Sequence, residues 1–316
     1  MTTTSPPAPP AIKAKQRPGD RWFSGTALFA GSMILVTLAA VALFLIIQSL
    51  PGISATSETA SILKTNFWDY VWPLLFGTIW AALLALLIAV PLSLGVSLFI
   101  THYAPRRLAQ TLGYVVDLLA AVPSVVFGLW GILVLAPAVQ PVYNWLNQNA
   151  GWFPLFSGTI SPTGRTIFTA SMVLAVMVVP IITAICREIF LQTPVLHEEA
   201  ALALGATRWE MIRMAVLPFG RSGIVSASML GLGRALGETM AVAMVLSATG
   251  TVTFELFTST NPSTIAANIA LTFPEAYGTN INVLIATGLI LFIVTFAVNA
   301  VARWIVNRRK EFSGAN

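Results

Sequence analysis

The chain has 316 residues, of which 56% are hydrophobic and 9% are charged, and its formal net charge is +5. Soluble domains carry about 25% charged residues, so this composition excludes an ordinary globular protein. Five stretches contain no Asp, Glu, Lys or Arg, and each is long enough for the roughly 20 apolar residues of a membrane-spanning helix. These stretches are residues 22–57, 70–101, 118–164, 166–186 and 276–302. An all-α integral membrane protein is therefore predicted.

The basic residues are concentrated in alternate loops. They precede the first apolar stretch, follow the last one, or lie in the segments 102–111 and 187–221, whereas the intervening loops hold only Lys64 and Arg165. Cytoplasmic loops of membrane proteins are enriched in Lys and Arg, so both termini are predicted to be cytoplasmic. The positive charge thus indicates membrane topology, and no nucleic-acid partner is expected.

In chain order, residues 1–21 are predicted to form a disordered cytoplasmic tail, because they include five prolines and the run SPPAPP. Residues 22–305 are predicted to form a six-helix transmembrane domain, and residues 306–316 a basic cytoplasmic tail. The predicted spans are 26–50, 71–101, 112–138, 166–190, 221–248 and a sixth that ends near Trp304.

Three of these spans contain a proline, which removes a helical hydrogen bond. Pro91 is expected to break the second span, and Pro123 and Pro180 lie inside the third and the fourth. Residues 139–164 are rich in Trp, Asn, Gly and Pro, and we expect them to be an outer loop at the membrane interface.

A compact charged segment, residues 194–217, lies between the fourth and fifth predicted spans. Thr193 followed by Pro194 predicts an N-cap and a first helical position. Gly205 predicts the end of that helix, because glycine adopts the left-handed C-cap conformation without steric cost.

A second short helix is predicted directly after Gly205. Thr207 and Glu210 have the spacing of a capping box, and Pro218 is expected to end the helix. Two short cytoplasmic helices joined at a glycine are therefore expected, although the spacing alone also fits an ordinary connecting loop.

The same segment resembles the EAA loop of ABC importer permeases. One position departs from the family pattern, since Ala215 stands where the family often has Ile. The resemblance implies a type I ABC importer permease fold, in which this segment is a coupling helix that docks into a groove of a separate ATPase subunit. The residues to which it assigns this docking role are Glu199, Ala200, Ala201, Gly205, Thr207, Leu217 and Pro218.

The chain lacks the motif of an ATPase of its own. A P-loop needs Gly-Lys followed by Ser or Thr, and none of the four lysines follows a glycine. We therefore predict a non-catalytic subunit without cofactor or metal, with ATP and Mg bound by the partner ATPase.

Two charges lie within the fifth predicted span, in the stretch GLGRALGETMAVAMV at residues 231–245. Arg234 and Glu238 are four residues apart, so they are predicted to share one helix face. Each costs about 2.5–3.5 kcal/mol near the bilayer centre and should face a partner or a wet cavity. They form either an ion pair that only stabilises the fold, or a charged lining where Arg234 attracts an anion and Glu238 prevents it from binding too tightly. Gly233 and Gly237 have the small-xxx-small spacing of close helix contacts.

Arg221 lies where the chain re-enters the membrane. It could meet an anion that leaves the translocation path, so we include it with Arg234 and Glu238 as a candidate path residue. The commoner explanation for such a position is an arginine that snorkels to the interface.

Three further stretches resemble the PstC permeases of bacterial phosphate importers: LLAAVPSVVFGLWG, GRALGETMAVAMV and STIAANIALTFPEA. The resemblance covers residues 70–305, and its distinction from the related PstA permeases depends chiefly on ALGETMAVAMV. It implies the transmembrane permease subunit of an ATP-driven inorganic phosphate importer, which forms half of the translocation pathway and works by alternating access. The implied partners are a PstA-like second permease, a PstB-like ATPase dimer and a PstS-like phosphate-binding protein, within the lipid of the bacterial cytoplasmic membrane.

Two alternatives remain open. A permease for another oxyanion, such as sulfate, molybdate or phosphonate, is compatible with the same residues, because one arginine does not distinguish tetrahedral anions by charge. An ATP-independent channel or carrier is a weaker alternative, because such a protein has no need of a docking helix.

Overall fold

The structure, a computed structural model, describes residues 18–310. Within this range the chain forms twelve α-helices and no extended β-sheet. The helices are α1 Pro18–Ile53, α2 Phe67–Leu98, α3 Arg106–Ala120, α4 Ser124–Trp130, α5 Ala136–Ala150, α6 Ile167–Leu191, α7 Val195–Ala203, α8 Arg208–Met211, α9 Leu217–Gly237, α10 Met240–Val245, α11 Ile265–Thr272 and α12 Thr279–Lys310.

Six helical stretches of the described chain are long and apolar enough to cross a membrane, which confirms the predicted number of spans. They are Trp22–Ile53, Phe67–Tyr103, Ser124–Ala150, Ile167–Leu191, Arg208–Gly237 and Thr279–Trp304. The terminal helices extend into the predicted tails, since α1 begins at Pro18 and α12 continues to Lys310. The remainder of both predicted tails, residues 1–17 and 311–316, lies outside the described residues.

The chain divides between Ile47 and Gln48 into two compact units. The first unit consists, within the described residues, of α1 up to Ile47, and its side chains are largely exposed. The second unit holds the principal hydrophobic core, to which α2, α6, α9 and α10 contribute. The largest fully buried side chain on α6 is Phe190, and Leu174, Met177 and Ile182 are fully buried on the same helix.

Polar residues fix where several helices begin. Asn66 precedes α2, Thr166 precedes α6 and Thr264 precedes α11. Each side-chain oxygen accepts a hydrogen bond from the backbone N–H three residues later, over 3.0–3.3 Å. These N-caps satisfy backbone donors that have no partner within the helix.

The expectation that Pro91 breaks the second span is wrong. α2 runs through Pro91 without interruption and passes into a π-helical turn at Phe99–Tyr103. Close packing against α6 holds this region in place, and the buried Ser93 hydroxyl donates a hydrogen bond to the Val179 carbonyl over 3.2 Å. Neighbouring helices commonly accommodate a proline within a membrane-spanning helix in this way.

The third span lies further along the chain than predicted. α3 ends at Ala120, and Pro123 immediately precedes α4, which continues through a π-helical turn into α5. The span is therefore Ser124–Ala150, and residues 139–150, expected in an outer loop, are helical. Proline ends the preceding helix readily because it lacks an N–H, whereas it fits at the start of a new one.

Gly231 is one of the points of close approach between α9 and α6. A Cβ atom there would lie 2.6 Å from Val178 Cγ1 and 2.8 Å from Ile182 Cδ1. At Gly233 and Gly237 no atom of the described chain lies within 4 Å of such a Cβ, so the close contacts expected at these two glycines are not made within this chain.

We therefore expect Gly231→Ala to destabilise the protein by about 1–3 kcal/mol, because overpacking forces well-packed neighbours to move. Gly233→Ala is the matched control, since it adds the same methyl group on the same helix in open space, and its free energy of unfolding should equal that of the wild type or exceed it by up to about 1 kcal/mol, because alanine favours a helix more than glycine does. Chemical unfolding of both variants in detergent measures the difference. Equal unfolding free energies for the two variants would contradict the packing assignment.

Candidate docking and translocation sites

The first candidate site is the connection between α6 and α9. α7 ends at Ala203, and Gly205, the residue after its C-cap Leu204, has a φ of +86° in the left-handed region. The Gly205 N–H donates to the Leu202 carbonyl over 2.9 Å, and the Ala206 N–H donates to the Ala201 carbonyl over 3.2 Å. This pair of bonds is a Schellman motif, which confirms the predicted helix end and its glycine.

The predicted capping box at α8 is also confirmed. The Glu210 N–H donates to Thr207 Oγ1 over 3.3 Å, and the Thr207 N–H donates to Glu210 Oε2 over 2.8 Å. The Thr207 hydroxyl donates to the same carboxylate oxygen, again over 2.8 Å. The turn between α7 and α8 is thus fixed on both sides, by a glycine on one and by a reciprocal cap on the other.

Two predictions about this segment are wrong. Pro194, and not Thr193, occupies the N-cap position of α7, and the buried Thr193 hydroxyl makes no hydrogen bond within the described chain. Pro218 does not end the second helix, because α8 passes through a π-helical turn into α9. In this turn the Leu217 N–H bonds to the carbonyl of Ile212, five residues back, and the wider ring accommodates the proline that follows.

α7 and α8 present a largely solvent-exposed surface. Glu199, Ala200, Gly205, Thr207 and Pro218 are exposed, whereas Ala201 and Leu217 are partly buried. Large apolar side chains lie between them: Leu196 is 76% exposed, Leu204 90% and Trp209 55%. We call Leu196, Glu199, Ala200, Leu204 and Trp209 the docking surface.

Sequence reasoning missed the apolar part of this surface. The sequence analysis assigned no role to Leu196 or Leu204, and no residue of α7 is buried. The available signal was the shortness of α7, because a nine-residue helix bounded by Pro194 and Gly205 cannot bury all of its apolar side chains against a neighbouring helix. A contact at 3.5 Å between His102 Nε2 and Glu198 Oε1 links α7 to the end of the second span.

The second candidate site is at the end of α9. The prediction that Arg234 and Glu238 share one helix face is wrong, because α9 ends at Gly237 and Glu238 has an extended backbone with ψ of 127°. Glu238 is buried, and its Oε1 accepts the Ala241 N–H over 3.2 Å in the first turn of α10. Within residues 18–310 no ion pair joins Glu238 to Arg234. α9 ends here because Gly237 has a low helix propensity and the side chain of the next residue, Glu238, caps the following helix instead.

Arg234 lies at a cavity of about 690 Å³ between α6, α9 and α12. The Arg234 side chain is half-buried, and its Nε is buried without a hydrogen-bond partner in the described chain. Ser226 on α9 and Asn299 and Arg303 on α12 line the same cavity. Ligand-binding cavities typically measure about 300–1,000 Å³, so the size and the free donors are suited to a small anion.

Of the three predicted path residues, only Arg234 lines this cavity. Glu238 is occupied as a helix cap, and Arg221 is exposed on α9, one turn before the lining residue Val225. At 1.5 Å of rise per residue, Arg221 and Arg234 are about 20 Å apart along the helix. The three residues therefore form no single cluster.

Comparisons with known proteins define the class to which this fold belongs. Residues 93–311 match the family of binding-protein-dependent transport system inner membrane components. A chain of the inward-facing MetNI methionine ABC transporter covers 76% of this chain at a TM-score of 0.51 and 17% identity, with 94% of that chain covered. A chain of a bacterial ABC transporter for the acidic polysaccharide alginate covers 75% at a TM-score of 0.54 and 19% identity, with 78% of that chain covered. The fold is that of a type I ABC importer permease, a multi-pass protein of the inner membrane.

Curated relatives specify the branch of this class. Phosphate transport system permease protein PstC 2 of Mycobacterium tuberculosis is 48% identical, over 96% of this chain and 97% of its own length. Phosphate transport system permease protein PstC of Mycobacterium leprae is 44% identical, over 96% of this chain and 98% of its own length. The chain belongs to the PstC family of binding-protein-dependent transport system inner membrane components.

Glu238 allows its structural role to be separated from a role in the path. Glu238→Gln keeps a side-chain oxygen for the Ala241 N–H but removes the charge, whereas Glu238→Ala removes both. We expect Glu238→Gln to assemble like the wild type and to alter uptake kinetics, and Glu238→Ala to lose in addition about 1 kcal/mol of stability with the cap. Uptake assays and unfolding of both variants check this expectation. If Glu238→Gln takes up substrate as the wild type does, Glu238 acts only as a helix cap and has no role in the path.

Proposed function

We propose that the chain is the transmembrane permease subunit of an ATP-driven importer of inorganic phosphate and that it forms half of the translocation pathway. The observation that carries the proposal is the 48% identity, across nearly the whole length of both chains, to a permease named for phosphate transport. The unpartnered Nε of Arg234 at a cavity of suitable size supports an anionic substrate.

The chain itself carries out no covalent chemistry in this proposal. A separate PstB-like ATPase dimer binds ATP and Mg and hydrolyses the nucleotide, while a PstA-like permease forms the other half of the pathway and a PstS-like protein delivers phosphate from outside. The docking surface supports a separate ATPase, because it combines exposed leucines and a tryptophan with a carboxylate on a rigidly capped pair of helices. Buried apolar anchors surrounded by polar groups are typical of protein interfaces.

The proposed orientation places both termini and the docking surface in the cytoplasm. Six spans put the two termini on one side, and the segments richest in arginine lie on that side as well. Arg221, near the start of α9, then faces the cytoplasmic end of the path, where an anion would leave.

In the proposed mechanism, the docking surface transmits the ATPase cycle to the spans through a short, stiff connection. α8 continues through the π-helical turn into α9, so a displacement of the docking surface is passed on directly to the helix that carries Arg234. Closure of the ATPase dimer pulls the two permeases together, and the cavity opens alternately outward and inward. Arg234 binds the anion while the path is closed at both ends.

Uptake of labelled phosphate by cells that lack this chain, restored with the wild-type chain, tests the proposal. We expect ATP-dependent uptake that excess sulfate, molybdate or phosphonate does not inhibit. Full competition by one of these anions would show that the transported substrate is that oxyanion and not phosphate. The assignment to the ABC importers would then still stand. Uptake that persists without the ATPase would contradict the importer itself and favour a channel or carrier.

A further inference from the structure

A second arginine lies in the same cavity as Arg234. Arg303 is on α12, more than 60 residues away in sequence, yet both side chains line the cavity of about 690 Å³. Arg303 is exposed, and within the described residues it forms no ion pair. In sequence it resembles any arginine at the cytoplasmic end of a span, and only the fold brings it to Arg234.

The two arginines lie at different depths. α9 begins at the end that carries Arg221, and Arg234 lies about 20 Å further along it at 1.5 Å per residue. α12 runs in the opposite sense, and Arg303 lies 24 residues after Thr279, about 36 Å along the helix and close to its far end. The cavity therefore extends from Arg234, deep in α9, towards the end of the spans at which Arg221 and Arg303 lie.

The cavity walls between the arginines offer further hydrogen-bonding groups. Ser226 and Asn299 contribute a hydroxyl and an amide to the lining. The Asn299 amide nitrogen donates to the Thr295 carbonyl over 3.0 Å, and the Ser226 hydroxyl donates to the Ser222 carbonyl over 2.9 Å. A second cavity, of about 560 Å³, adjoins along α12 and shares Asn299 and Arg303 with the first.

We propose that Arg303 is a second anion-binding residue of the translocation path, which takes up phosphate on its way from Arg234 to the cytoplasm. This inference rests on the proposed function and deepens it. Two separated guanidinium groups hold an anion in succession, so neither has to bind it tightly enough to prevent release. Arginine suits this task because its planar fork binds two phosphate oxygens at once and stays charged at every physiological pH.

The phosphate group that meets Arg303 has two conceivable sources, the transported anion and the headgroup of a membrane lipid. Arginines near the end of a span also bind anionic lipids. We assign the transported anion as the ligand of Arg303, because Arg303 shares its cavity with the half-buried Arg234. An arginine that binds a lipid headgroup needs no such neighbour.

Thiol labelling of the assembled importer in vesicles tests the assignment without altering either arginine. The chain has one cysteine, Cys186, which is fully buried, so an introduced thiol is labelled selectively. Ser226→Cys places a thiol in the cavity, and Ser222→Cys is the matched control, since it is exposed one turn earlier on α9 and is not a lining residue. In phosphatidylcholine vesicles we expect inorganic phosphate to slow labelling at position 226 and not at position 222.

The same experiment with Arg303→Ala tests the arginine itself. We expect protection at position 226 to need about tenfold more phosphate, as expected when one hydrogen bond to a charged group is lost, and the phosphate uptake rate to fall by about the same factor. Arg303→Gln removes the charge but keeps a shorter, polar side chain, and it serves if the alanine variant does not assemble. Arg107→Ala removes the same charge from an exposed position on α3 that does not line the cavity, and it should leave both readouts unchanged.

Three results would overturn the inference. They are equal protection by phosphate at positions 222 and 226, unchanged protection and uptake in Arg303→Ala, and protection that appears with added cardiolipin in the absence of phosphate. Phosphate uptake by the wild type tests the proposed function independently of these three results. If the wild type takes up phosphate while any of these three results is observed, only the role of Arg303 is refuted and the proposed function stands.

Discussion

Arg234→Ala is expected to lower phosphate uptake by about a hundredfold, equivalent to roughly 3 kcal/mol, while the importer still assembles. The physical reason is the position of the guanidinium, which is half-buried at the cavity with an Nε that finds no partner in the described chain. A charged guanidinium is costly to bury in a membrane unless an opposite charge compensates it, and an anion in the adjoining cavity supplies that charge. Uptake in cells and co-purification with the ATPase measure the two parts of the expectation.

Two further variants make this test specific. Arg234→Lys keeps the positive charge but not the bidentate fork, so we expect partial recovery of uptake. Arg221→Ala removes an exposed arginine from the same helix and should have a much smaller effect, because its side chain lies outside the cavity. Wild-type uptake by Arg234→Ala would show that the cavity is not on the path.

Gly205→Val is expected to uncouple ATP hydrolysis from transport while the permease remains in the membrane. Gly205 has a φ of +86°, where a β-branched residue is strained by roughly 1–3 kcal/mol, so the turn between α7 and α8 should change its conformation. The space around the glycine is open, since no atom of the described chain lies within 4 Å of an added Cβ. The expected effect is therefore one of backbone conformation and not of collision.

Gly205→Asn provides the control, because asparagine adopts the left-handed conformation far more readily than valine does. We expect the asparagine variant to retain most of the uptake and the valine variant to lose most of it, with comparable amounts of both in the membrane. Uptake measured together with ATP hydrolysis by the purified complex separates uncoupling from loss of protein. Equal uptake by the two variants would contradict the importance of the turn.

Local sequence signals were sufficient to predict the architecture and the turn between α7 and α8 that supports the docking surface. Five of the six spans coincide with uncharged stretches, because hydrocarbon tolerates few ionised side chains, whereas the fifth in chain order carries Arg234 and was predicted from its otherwise apolar sequence. The end of α7 before Gly205 and the capping box of Thr207 and Glu210 also follow from sequence, since each depends on hydrogen bonds between residues a few positions apart. Such features need no knowledge of the tertiary fold.

The predictions that were wrong depend on tertiary packing or on the register of hydrogen bonds. Pro91 and Pro218 remain within helical segments because packing against α6 holds the first and a π-helical turn precedes the second. Glu238 leaves the helix of Arg234 because its carboxylate caps α10 instead. That Arg234 and Arg303 line one cavity was not predictable from spacing, because it arises from the packing of α9 beside α12.

The most direct test of the phosphate-importer proposal is phosphate accumulation in vesicles that contain the purified importer with this chain, its binding protein outside and ATP inside. We predict accumulation against a gradient that requires ATP hydrolysis, ceases when this chain is omitted, and is not reduced by excess sulfate. Accumulation without ATP, or ATP-driven accumulation of sulfate in preference to phosphate, would contradict the proposal.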